Sequence, residues 1–148
     1  MVFESHSEID TNNIAQKFAS KLVGGTEIVF FYGGMGLGKT AFTKGILKYF
    51  NSENLVSSPT FAIMNQYDTK KFKIYHFDMY RITSDGDLDS TGFYDYMDKG
   101  IILVEWSENI EKYLKNILDS VIKIRLYNGE KYNDRFIDIE FPKIKKFF

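Results

Sequence analysis

Ile28-Val29-Phe30-Phe31-Tyr32-Gly33-Gly34-Met35-Gly36-Leu37-Gly38-Lys39-Thr40 decides the fold class of this chain. The first five residues form a short continuous apolar run, the pattern of a strand buried on both faces. The last eight fit G-x-x-x-x-G-K-[ST], the phosphate-binding P-loop. Phe42, Ile46, Leu47 and Phe50 then recur at helical spacing. Strand, glycine loop and helix in that order separate a P-loop from an accidental match, which composition alone allows in roughly one such chain in a hundred. Glycines let the backbone curl so that successive N–H groups face one anion. The helix start adds its positive end. The spacing predicts that Gly33, Gly34, Met35, Gly36, Leu37, Gly38 and Ala41 surround a phosphate chain. Lys39 then reaches the β- and γ-phosphates, and the Thr40 hydroxyl ligates Mg²⁺.

Outward from this stretch the pattern alternates between helices and strands. Ile14, Phe18 and Leu22 share one helical face over Asp10 to Leu22, with Ser7 or Asp10 as cap and Gly24-Gly25 as terminator. A second helix runs from Lys39 to Phe50. Segments Phe61 to Tyr67 and Phe72 to Tyr80 flank Asp68-Thr69-Lys70 and read as an antiparallel hairpin, its second strand half exposed. Thr83 to Ser90 is acidic, contains a glycine and reads as a loop. A short helix follows over Thr91 to Met97. Ile101-Ile102-Leu103-Val104 is another continuous apolar run, the mark of a central parallel strand. Ser107 is placed to cap a helix through Leu118, carrying Ile110, Leu114 and Leu118 on one face. Val121 to Leu126 and Phe136 to Phe141 flank Asn128-Gly129 and predict a second hairpin at the sheet edge. The expected fold is α/β, a P-loop NTPase-like three-layer arrangement. Its mixed sheet has parallel core strands, antiparallel hairpins and flanking helices.

Composition sets the outer bounds. A chain of 148 residues suggests one P-loop domain over residues 1–148. Fourteen Phe and ten Tyr predict a large core for the length. The absence of cysteine excludes disulfides and cysteine-ligated zinc, and it fits a reducing compartment. A formal net charge of −1 gives no overall basic field for nucleic acid. The tail lysines Lys143, Lys145 and Lys146 read as a solvated end. No apolar segment approaches the length of a membrane span. The N-terminus carries Glu4 where a signal peptide carries base. The expectation is a soluble cytoplasmic protein.

A P-loop site needs a carboxylate near the metal, commonly at the end of a buried strand beside the P-loop strand. Glu105 follows Ile101 to Val104 and emerges at the carboxyl end of a core strand, where open α/β sheets bind ligands. Asp78, in His76-Phe77-Asp78-Met79-Tyr80-Arg81, is the second candidate; the competing reading pairs it with a neighbour such as Arg81. His76 reads as a packed or surface histidine. In Ser57-Ser58-Pro59-Thr60-Phe61, Pro59 fixes a turn from which Thr60 can sense Mg²⁺ and the γ-phosphate.

These pieces together resemble the TsaE family, also called YjeE, a group of small bacterial P-loop ATPases of tRNA modification. The resemblance rests on Gly33 to Thr40, Ser58-Pro59-Thr60-Phe61, His76-Phe77-Asp78-Met79-Tyr80-Arg81 and Glu105-Trp106-Ser107-Glu108, in order and spacing from about Thr11 to Trp106. Two departures stand out. Gly34 replaces the usual acid, and Ser107 replaces a common proline. The resemblance implies ATP and Mg²⁺ as ligands. It implies action with TsaB and TsaD, which attach threonylcarbamoyl to adenosine 37 of tRNA, and contact with tRNA only through them. By motif position it makes Lys39, Glu105 and Asp78 the catalytic residues and Thr40 and Glu105 the metal-linked pair. Thr60 becomes a further site residue, and Thr11 and Arg135 become contacts to the nucleoside.

The arginines are Arg81, Arg125 and Arg135, and none sits in a loop that clearly reaches a γ-phosphate. Slow hydrolysis alone and stimulation by partners follow. The alternatives are a small-molecule kinase, which needs an arginine-rich lid, and a nucleotide-gated regulatory protein without turnover as its purpose. A GTPase is disfavoured. Asp89-Ser90-Thr91-Gly92 matches D-x-x-G, but no N-K-x-D motif occurs.

Overall fold

The computed structural model describes residues 1–52 and 63–143. In chain order the elements are β1 (Val2–Ser5), α1 (Glu8–Ala19), β2 (Ile28–Tyr32), α2 (Lys39–Tyr49), β3 (Met64–Asp68) and β4 (Lys73–Asp78). Then come α3 (Asp85–Ser90), α4 (Phe93–Tyr96), β5 (Ile101–Glu105), three 3₁₀ turns, β6 (Ile122–Asn128) and β7 (Arg135–Glu140). Among the described residues the strands form one sheet in the order β1-β7-β6-β2-β5-β4-β3. The four inner strands β6, β2, β5 and β4 are mutually parallel, and antiparallel pairs close both margins. This is the mixed sheet that the sequence predicts.

The continuous apolar runs lie where both faces are covered. Every residue of β5 is buried, and so are Ile28 to Phe31 of β2. One face packs Val29, Phe31 and Leu103 against Phe18 of α1 and Phe42 and Ile46 of α2. The other packs Phe30, Phe77 and Val104 against Leu88 of α3, Phe93 of α4 and the turn residues Ile110 and Leu114. The result is three layers with the glycine loop on the α1/α2 side.

Helices α1 and α2 meet through Gly45. A Cβ there would lie 2.5 Å from both the Ala15 Cβ and the Asn12 carbonyl oxygen. Replacing a helical glycine with alanine gains about 1 kcal/mol of propensity, whereas forcing a methyl into a filled contact costs about 1–3 kcal/mol. Backbone is the obstruction here and yields little, so Gly45→Ala is expected to destabilise. Chemical denaturation checks the sign; a raised midpoint would contradict it.

Several predicted elements take a different form. Thr83 to Ser90 is not a loop. Ser84 caps α3 by accepting from Asp87 N, acids at Asp85 and Asp87 favour the helix start, and Leu88 is buried. Ser107 to Leu118 is not one α-helix but successive 3₁₀ turns at Ser107–Asn109, Glu111–Tyr113 and Leu118–Ser120. The Ser107 hydroxyl turns back to donate to the Val104 carbonyl at 3.0 Å instead of capping forward. Ile110 and Leu114 still enter the core. The β6–β7 hairpin is not the sheet edge, because β1 pairs outside β7 and β6 lies parallel to β2. Nor is β4 half exposed. It lies between β3 and β5 with Ile74 to Phe77 all buried. Helix α1 starts at Glu8 with Ser7 as its cap.

Candidate functional site

The glycine loop is built from backbone that other residues rarely adopt. Gly33, Gly36 and Gly38 have φ of 137°, 77° and 102°. At Gly33 a Cβ would also stand 2.9 Å from the Leu126 carbonyl oxygen, so the loop turns hard against β6. Gly34 has open space beside it and an ordinary φ, so the departure at this position is sterically neutral. Helix α2 opens at Lys39 with no side-chain cap and no acid in its first turn. Its leading N–H groups are therefore available to an anion.

That helix start faces a cleft of about 1020 Å³. Met35 to Ala41 form one wall, so Gly36, Leu37, Gly38, Lys39 and Thr40 all border it; Gly33 and Gly34 lie outside. Asp78, Tyr80, Glu105 and Trp106 border it from the ends of β4 and β5. Thr11 and Arg135 border it from α1 and the start of β7. Thr60 lies outside the described residues, as do Ser57 to Phe61 as a whole.

Lys39 and Glu105 meet inside the cleft. Lys39 Nζ lies 3.7 Å from Glu105 Oε1, with both side chains almost fully buried. The ammonium also sits 5.1 Å from the Trp106 ring centroid, an attractive cation–π contact. Trp106 takes a left-handed backbone, φ 60°, directly after Glu105. Such a conformation costs about 1–3 kcal/mol at a non-glycine residue. It turns the indole beneath Lys39 and against Tyr80, at 4.9 Å between ring centroids.

On the other carboxylate oxygen, His76 Nε2 lies 2.6 Å from Glu105 Oε2. Burial by itself would push the Glu105 carboxyl up. The His76 ring, then the Lys39 ammonium, outweigh it and hold the group below its ordinary value. His76 is indeed packed, as the sequence suggests, but on the carboxylate. The sequence held one signal for it: His76 and Asp78 are two apart on a strand and so share a face.

Asp78 stands opposite Glu105 in the β4–β5 register. Its Oδ1 accepts from Tyr80 N at 2.9 Å, so it shapes the turn after β4 and is not paired with Arg81. Thr11 is buried, with Oγ1 2.7 Å from Ser5 Oγ. Ser5 spends its own proton on the Ser7 carbonyl. Thr11 must therefore donate to Ser5, which leaves only lone pairs for a ligand.

The arginines are nearer the loop than the sequence suggests. Arg81 borders the cleft. The Arg135 guanidinium donates to the carbonyls of Tyr132, Asp134 and, across the cleft, Gly36. Asp134 in the same loop holds His6 Nδ1 at 2.8 Å. That hydrogen bond and the Asp134 charge raise the exposed His6 above its ordinary value of 6.5. The tie is therefore complete below pH 6.5 and is lost as pH rises through the raised value. An NMR titration of His6 is expected to give a midpoint above 6.5 that falls in Asp134→Asn; a midpoint at or below 6.5 in the parent would contradict the contact.

The donor set suits a magnesium ion that arrives with a polyphosphate. Among the described residues no group of three or more acid or histidine side chains could hold a metal. Mg²⁺ usually keeps several waters and takes one or two protein oxygens plus phosphate oxygens. Thr40, Glu105 and Asp78 offer hard oxygens around one cleft.

Comparison with known proteins agrees with this geometry. The family model described as "Threonylcarbamoyl adenosine biosynthesis protein TsaE" matches residues 5–137. A tRNA threonylcarbamoyladenosine biosynthesis protein TsaE of Rickettsia prowazekii is 42% identical over 110 residues, 74% of this chain and 76% of that protein. The TsaE of Aquifex aeolicus is 36% identical over 129 residues, 82% of this chain and 91% of that protein. The crystal structure of Bacillus subtilis YdiB superposes with a TM-score of 0.73 at 26% identity, covering 93% of this chain and 82% of that one. With the sheet, the glycine loop and the buried Glu105 all in place, the chain belongs to the TsaE family.

Proposed function

We propose that this chain binds ATP with Mg²⁺ in the cleft and hydrolyses it, as the ATP-consuming component of tRNA threonylcarbamoyladenosine modification. The observation that carries this reading is the meeting of Lys39 and Glu105 at the uncapped start of α2. The loop N–H groups from Gly36 to Thr40 take the phosphate oxygens. Lys39 leaves Glu105 for the β- and γ-phosphates, which offer it more negative charge at closer range. Glu105, a carboxylate held below its ordinary pKa, is then free to accept a hydrogen bond from the attacking water and orient it. Asp78 sets the turn that brings Tyr80 and Arg81 to the rim. Thr40 and Glu105 would hold Mg²⁺, which neutralises charge on the β- and γ-oxygens when bound.

TsaB and TsaD are the partners in this reading. It places the protein in the cytoplasm and in contact with tRNA only through them. Among the described residues no helix is long and apolar enough to cross a membrane. Arg135 is tied by hydrogen bonds to three carbonyls, so moving it onto the transferring phosphoryl group costs those bonds, and Arg81 stands at the border of the cleft. Hydrolysis by the isolated chain is accordingly slow and rises when TsaB and TsaD are added. A steady-state assay with and without TsaB–TsaD tests this; equal turnover would sink the partner-dependent part. Capture of TsaB–TsaD on the immobilised chain, with and without Mg·ATP, tests the partnership itself.

A further inference from the structure

His76 is a buried ionisable side chain to which the proposed chemistry gives no task. It is 1% exposed on β4, in register with Asn65 of β3 and Leu103 of β5. Its Nε2 lies 2.6 Å from Glu105 Oε2, yet among the described residues neither ring nitrogen has a hydrogen-bond partner of full geometry. The contact is close but misaligned. A buried polar atom in that state is destabilising, a penalty that an apolar residue at this position would not incur. Packing alone therefore does not account for the histidine. Catalytic hydrogen bonds are often poorly aligned before substrate binds and tighten afterwards.

The arrangement around Glu105 says what the tightening does. Each carboxylate oxygen has its own neighbour, Lys39 at Oε1 and His76 at Oε2. A nucleotide draws Lys39 to its phosphates. Oε1 then loses its protein partner, and His76 on Oε2 is the side-chain contact left to orient a carboxylate on three rotatable bonds.

We propose that His76 is a positioning residue that holds Glu105 through Oε2 while Lys39 is engaged by nucleotide, so that Oε1 points at the water. The idea rests on the reading of Glu105 as the carboxylate of hydrolysis. It requires His76 to carry its proton on Nε2, because a carboxylate only accepts. It also separates binding from turnover. The loop amides and Lys39 hold the phosphates with or without His76, whereas a misplacement of about 1 Å at a reacting group can cost about 10²-fold in rate.

The experiment compares His76→Leu and His76→Gln in the intact chain. Mg·ATP affinity and single-turnover hydrolysis are measured for each. The Gln side-chain amide can present an N–H near the place of Nε2, whereas Leu cannot. His76→Leu is expected to lose about 10- to 100-fold in hydrolysis, with ATP affinity changed less than about threefold, and His76→Gln is expected to recover most of the rate. An unchanged rate in His76→Leu, or a Gln variant as impaired as the Leu variant, overturns the proposal. Imidazole ¹⁵N–¹H NMR of the parent protein gives a readout without turnover. An Nε2–H resonance that moves in Glu105→Ala supports the tie, and a neutral Nδ1–H tautomer overturns it even if the Leu variant fails to fold. Full hydrolysis by Glu105→Ala would instead bring down the reading of Glu105 and leave the NMR tie intact, so the two failures are distinguishable.

Discussion

Lys39→Ala is expected to abolish ATP hydrolysis, with a loss of at least about 10²- to 10³-fold, the range for removing one preorganised charge-stabilising donor. Binding of Mg·ATP should weaken as well, because Lys39 is the cation at the start of α2. The parent side chain is almost fully buried between Glu105 and the Trp106 ring. Breaking a buried ion pair from one side costs about 3–5 kcal/mol. Here His76 remains on the second oxygen of Glu105, so the lower end applies and the variant is expected to fold with a reduced melting temperature. Calorimetric titration with Mg·ATP and a thermal scan separate loss of the site from loss of the fold. A folded Lys39→Ala variant that hydrolyses ATP at the parent rate would remove the loop from the chemistry.

Glu105→Ala carries the second large effect, and it falls on turnover. The carboxylate ends β5 beside the P-loop strand, with a cation or imidazole at each oxygen. Removing it takes the ion-pair partner from Lys39 but leaves the backbone amides of the glycine loop in place. Hydrolysis is expected to fall by about 10²-fold or more, while Mg·ATP still binds and single-turnover traces show trapped substrate. A Glu105→Ala variant at full rate would assign the water-orienting role elsewhere, with Asp78 the next carboxylate on the cleft. The same side chain shapes acid stability. Its native pKa is held below the ordinary 4.5. Its contribution is therefore present above that value and is lost as pH falls through the lowered one. Acid unfolding below pH 4.5 should be shallower in Glu105→Gln than in the parent, as followed by circular dichroism.

Much of this site was legible in the residues because its parts are local. A glycine loop, the helix behind it and an acid ending an apolar run each follow from spacing over a few residues. That Met35 to Thr40 and Glu105 border one cleft therefore agrees with a reading that used no tertiary information, whereas Gly33 and Gly34 lie outside it. His76 was harder. Its partner lies on the neighbouring parallel strand, 29 positions away by residue number, and alternation within β4 cannot say which strand stands alongside. The Arg135 bond to Gly36 joins segments 99 residues apart, so the sequence placed this arginine only by resemblance. The same limit explains β1. Four residues carry too little pattern to announce a strand, and this one is held by pairing with β7. Helix α3 was legible in retrospect through Ser84 and Asp87, whose capping spacing outweighs the acidic, glycine-containing composition that suggested a loop. The turns after Ser107 were not, because Ile110 and Leu114 reach the core at helical spacing although the backbone there forms separate 3₁₀ turns.

The most direct measurement is a crystal structure of the chain with Mg²⁺ and a non-hydrolysable ATP analogue. The triphosphate is expected against the backbone amides of residues 36–40, Lys39 moved from Glu105 onto the β- and γ-oxygens, and Glu105 turned toward the terminal phosphate with His76 still on its second oxygen. A nucleotide bound outside this cleft, or Lys39 still paired with Glu105 beside a bound triphosphate, would contradict this arrangement.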